Sequence, residues 1–80
     1  GPQDFAAARQ WWKQGAEVGD NRCAFNLGVA CAGGHGAPPD FVEALSWFQL
    51  AHRLGNADAA HEIQTLKAVM SEAEIAASQA

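Results

Sequence analysis

Apolar side chains return every three to four residues along most of this chain. Phe5, Ala8, Trp11, Trp12, Gly15 and Ala16 form one broad helical face, with Arg9, Gln10, Lys13, Gln14 and Glu17 outside it. Asp4 stands where an N-cap belongs, and Gly19 ends the run because glycine enters the left-handed conformation cheaply. Asp20 or Asn21 opens a second stretch, which carries Cys23, Ala24, Leu27, Gly28 and Cys31 and stops at Gly33 and Gly34. Between there and Pro39, glycines loosen the backbone and Pro38 and Pro39 block a helix. Asp40 restarts the chain, and Glu43 three residues on completes a capping-box pattern.

The third stretch presents Phe41, Ala44, Leu45, Trp47, Phe48, Ala51 and His52 before Gly55. Asn56 caps a fourth, with Ala59, Ala60, Ile63, Leu66 and Met70 on its apolar side. Ser71 and Glu74 form a second capping box before a short helix over 72–79, anchored by Ile75. β-branched residues are few and nothing alternates with period two, so the fold class is all-α.

The chain also matches itself at an offset of 36 residues, which sets Asp4-Phe5 on Asp40-Phe41. Under that offset Ala8 falls on Ala44, Trp11 on Trp47, Trp12 on Phe48, Gly19 on Gly55, Ala24 on Ala60 and Leu27 on Ile63. A period of this length marks a solenoid of helix pairs. Large aromatics on each first helix need small residues opposite, and Ala24, Gly28, Ala59 and Ala60 supply them.

These positions resemble the Sel-1-like repeats, relatives of the tetratricopeptide repeats. The resemblance rests on Ala8, Trp11, Trp12, Gly19, Asp20, Ala24, Leu27 and Gly28, then on Gly34, Gly36, Pro38, Asp40 and Phe41 in the turn. The second unit repeats it with Ala44, Trp47, Phe48, Ala51, Gly55, Asn56, Ala60 and Ile63. Gly15 and His52 stand where the family prefers alanine, Cys31 replaces a tyrosine, Ala37 a valine, and Gln64 the glycine that follows the helix-B leucine. The resemblance implies an α-α superhelix of two antiparallel helix pairs plus a C-terminal capping helix. The expected units are residues 4–39 and 40–70, closed by 71–80, with 1–3 a linker left by protease cleavage of a tag. On that reading the native amino terminus is missing, and compartment stays open between bacterial cytoplasm and periplasm.

Composition narrows function mostly by exclusion. A chain of 80 residues is one small domain with a modest core. Its net charge is −4, and its five basic residues are scattered, which argues against nucleic-acid binding. No apolar run approaches the roughly 18 residues of a membrane span. Cys23 and Cys31 fall on one helix about 12 Å apart along its axis (~1.5 Å per residue), too far for a disulfide. Unpaired thiols favour a reducing environment. His35, His52 and His61 lack i, i+4 spacing, and the cysteines lack ligand spacing, so neither metal nor cofactor is expected. The turn Gly33-Gly34-His35-Gly36 lacks the lysine and preceding strand of a phosphate loop, and no nucleophile–base set emerges. The chain therefore reads as non-catalytic.

What remains is the first helix of each pair. In this superfamily those helices line a concave face that grips proteins or peptides. Arg9 with Leu45, and Lys13 with Gln49, are the equivalent flank positions, and are the expected partner-binding residues. Two units are few for a solenoid. Phe5, Trp11 and Trp12 accordingly form an apolar edge for a homodimer or a longer array. A small enzyme or ligand-binding protein is the third reading, and it requires a deep polar pocket.

Overall fold

The computed structural model of the chain describes residues 4–79, so the expected linker at 1–3 and the final residue lie outside the described residues. Five helices follow in order: α1 (Phe5–Glu17), α2 (Asn21–Gly33), α3 (Phe41–Arg53), α4 (Asp58–Val69) and α5 (Glu72–Ser78). They pack in sequential pairs. α2 lies between α1 and α3, and α3 carries α4 and α5.

Each boundary has a local cause. Asp4 accepts a hydrogen bond from the Ala7 amide at 3.0 Å, and Asp20 accepts from Arg22 and Cys23. Gly34 closes α2 at φ 72°, a left-handed conformation that a side chain would strain. The loop over 34–40 is then tied to its surroundings at several points. The His35 and Asp40 amides donate to the Ala30 and Cys31 carbonyls, both at 2.9 Å, and the His35 ring stacks on Phe5 at 4.8 Å. Asn56 accepts from the Ala59 amide at 3.2 Å, and its own amide donates to Asn21, which donates onward to the Leu54 carbonyl. Those side-chain amides bridge the turn before α2 to the turn before α4.

Two expectations about α3 and α4 need correction. Asp40 caps the Glu43 amide at 3.0 Å, but the Glu43 carboxylate does not return to the cap. It accepts from Trp47 Nε1 at 3.4 Å and pairs with Arg9 at 3.9 Å, because α1 lies within its reach. In α4 it is Ala59 that is fully buried, whereas Ala60 is exposed. Among the described residues the main packing partner of α4 is α3, and its buried stripe turns that way.

Two adjoining clusters form the core. One gathers Ala16, Ala24, Leu27, Ala51 and Ala59; the other centres on Leu45, Phe48, Ile63, Leu66 and Met70. Phe25 and Trp47 touch both. Close approach across the seam depends on Gly28, where a Cβ would sit 2.7 Å from the Phe48 ring. Phe48 also meets Phe25 edge-on at 5.3 Å.

Candidate interaction site

The four expected binding residues do not form one surface. Leu45 is fully buried, and its place on the binding face is corrected. Its position points along the stack toward whatever follows α3, here Met70 and the flank of α5, where an apolar side chain is favoured. Arg9, at the equivalent position on α1, points into the same kind of seam. Its side chain is 15% exposed and reaches the His35 carbonyl at 3.3 Å, Cys31 Sγ at 3.5 Å and Glu43 at 3.9 Å. The 9/45 position thus holds one unit to the next. Lys13 and Gln49 are half-buried on the first helices.

Gln49 sits in an open groove of about 500 Å³ between α3 and α5, lined also by Ser46, Arg53, Ser78 and Gln79. Helical spacing puts Ser46, Gln49 and Arg53 on one side of α3. α5 forms the other wall, held by the Ser46 hydroxyl, which donates to the Ser78 carbonyl at 2.8 Å. Arg53 has no ion-pair partner among the described residues. The lining therefore offers amide, hydroxyl and guanidinium groups that suit carbonyls and carboxylates. Ser46 and Arg53 were readable as neighbours of Gln49 on the helix. Ser78 and Gln79 were not, because their place depends on how α5 docks.

The expected apolar edge also divides. Trp12 packs into the core and Phe5 lies half-buried against His35, whereas Trp11 is 73% exposed. Both thiols are free, and burial pushes each above its ordinary ionisation range. Glu43 reinforces the effect at Cys31, where Arg9 opposes it, and Asp20 reinforces it at Cys23. Among the described residues no group of histidine, cysteine and carboxylate side chains could hold a metal ion, and no helix is long and apolar enough to cross a membrane.

A family model described as Sel1 repeat matches residues 1–20 and 21–56. The second match spans α2, the loop and α3, so it frames the period from the second helix of one pair to the first helix of the next. No curated protein and no solved structure matches the chain.

Proposed function

Because the chain belongs to the Sel1 repeat family, whose repeats are generally protein-interaction modules, we propose that it is a non-catalytic adaptor that holds a partner segment in the groove between α3 and α5. The groove carries this reading. It is open, lined by polar side chains, and bordered by the Arg53 guanidinium, which has no ion-pair partner among the described residues. The partner is a peptide stretch of another protein with a carboxylate placed to meet Arg53. Lys13, at the position on α1 equivalent to Gln49, extends the same side toward the first pair. We divide the chain into units 4–39 and 40–70 with residues 71–80 as the closing helix. On this division the groove belongs to the second unit and its closing helix.

A photo-crosslinking amino acid at position 49, compared with one at exposed Val69 on α4, tests the choice of face. A discrete protein should attach from position 49 and not from 69. The Lys13→Glu/Gln49→Arg variant should lose that protein without losing its fold. Equal attachment from both positions would place the partner elsewhere.

A further inference from the structure

α5 covers less of α3 than α3 offers. Glu74 borders a shallow groove of about 220 Å³ with Pro39, Asp40, Phe41 and Val42, at the start of α3. Ser78 and Gln79 border the groove of about 500 Å³ with Ser46, Gln49 and Arg53, along its second half. α5 therefore runs beside α3 in the same direction, with open space toward either end. Within Glu72–Ser78 only Ile75 and Ser78 are not exposed. Ile75 packs on the cluster that holds Leu45, Phe48 and Met70, and the Ser78 carbonyl accepts from the Ser46 hydroxyl at 2.8 Å. Phe41, in the first groove, stays 39% exposed.

On the basis of the binding groove proposed above, we infer that the seat of α5 is part of the partner site, and that α5 holds it as a tethered stand-in which a longer amphipathic helix displaces. α5 binds its seat through two side chains, and a helix so short is marginal in water, so its release costs little. The incoming helix wins by burying what α5 leaves open.

The contacts of α5 specify the occupant. The Ile75 position takes an aliphatic anchor over the core cluster. Three residues later the backbone lies against Ser46 and the side chain is 7% exposed, so that position takes a small residue. An apolar residue in place of Glu74 covers Phe41. Side chains on a helix lean back toward the preceding turn, which brings the Arg53 guanidinium toward Gln49. A carboxylate four residues after the small position, about 6 Å further along the axis (~1.5 Å per residue), meets it there.

The test is fluorescence anisotropy of a labelled peptide added to the full chain. The peptide repeats residues 71–79 with leucine in place of Glu74, and adds one helical turn with glutamate four residues after the serine of position 78. One comparison peptide carries lysine instead of that glutamate, and another carries proline in place of the exposed Ala76, which breaks the helix without touching α3. Ser71→Ala weakens α5 from an exposed cap outside the core, and Ile75→Ser removes its anchor. The glutamate peptide should bind the Ser71→Ala protein about fivefold tighter than the parent, the ordinary worth of a cap, and the Ile75→Ser protein tighter still. Arg53→Glu should weaken the glutamate peptide about tenfold or more and favour the lysine peptide. The proline peptide should bind none of these proteins.

Equal affinity for the parent and the Ser71→Ala protein would overturn displacement, and would leave the groove as a site beside a docked α5. That result stands even where Ile75→Ser fails to fold. Indifference to the Arg53 exchange would overturn the groove, and the proposed function with it. A proline peptide that binds as well as the others would overturn a helical occupant. Failure of the glutamate peptide to bind the parent, Ser71→Ala or Ile75→Ser protein would overturn the seat as a site.

Discussion

Gly15 and Cys23 form a matched pair. A Cβ built on Gly15 would run into the Cys23 thiol. In the second unit the same two positions hold Ala51 and Ala59, both fully buried. One pair divides the space as nothing plus a thiol, the other as two methyls. The departure from alanine at position 15 is thus explained by the residue opposite. Gly15→Ala gains about 1 kcal/mol of helix propensity but meets an overpacking cost of about 1–3 kcal/mol. We expect the single change to destabilise the protein. In a Cys23→Ala background, which removes the thiol and leaves the residue 23 Cβ 2.9 Å from the new methyl, the same change should cost less than in the parent. Urea titrations of all four proteins measure the coupling, and simple additivity would show the contact to be unimportant.

Cys31 gives a pH prediction. Its thiol is pushed up first by burial and next by Glu43, against the pull of Arg9. The unfolded thiol ionises near about 8.5 while the folded one still holds its proton. Stability from this site is therefore complete below about pH 8.5 and is lost as pH rises through the folded value. Melting temperature should decline less steeply between about pH 8 and 10 in Cys31→Ala than in the parent, whatever the offset between the curves. Parallel declines would mean that other groups set the alkaline limit.

Among the helices, α5 has the weakest claim to independent existence. It spans only Glu72–Ser78, and isolated helices shorter than about 12 residues are marginal in water. Its two supports are the reciprocal capping box of Ser71 and Glu74, with hydrogen bonds of 3.1 and 2.9 Å, and its seat on α3. Ser71→Ala should cost about 1 kcal/mol. Amide exchange at 75–79 should quicken while α1 and α2 keep their protection. Uniform acceleration throughout would show that α5 opens only with the rest.

Most helix ends were legible because capping chemistry is local. Asp4, Asp20, Asp40 and Ser71 all cap as their spacing predicts, and Gly19, Gly34 and Gly55 all adopt positive φ. The misread residues are those whose environment is supplied by another pair. Leu45 looks like a flank residue on α3 alone and becomes core once α4 and α5 are in place. Glu43 looks like a cap until Arg9 and Trp47 compete for it. The choice between Ala59 and Ala60 depends on the neighbouring helix, which for α2 is α3 on one side and α1 on the other and for α4, among the described residues, is chiefly α3. The groove was half legible for the same reason, since α3 supplies one wall in regular spacing and α5 supplies the other by docking.

For the molecule as a whole, the contact between α2 and α3 matters most. It joins the second helix of one pair to the first helix of the next, across a loop whose residues 35–40 are all exposed. Phe25 and Trp47 lie on opposite sides of this seam and belong to both clusters, and the Asn21–Asn56 bridge spans the same two pairs. Cutting between the copies would strip the hydrophobic partners from both halves at once. A lone copy would expose its share of each cluster and keep too little apolar burial to offset the entropy of ordering its chain. The smallest piece of this protein that can hold itself together is therefore larger than the smallest piece that recurs in it, so growth or loss by one period is tolerable only while such a seam survives.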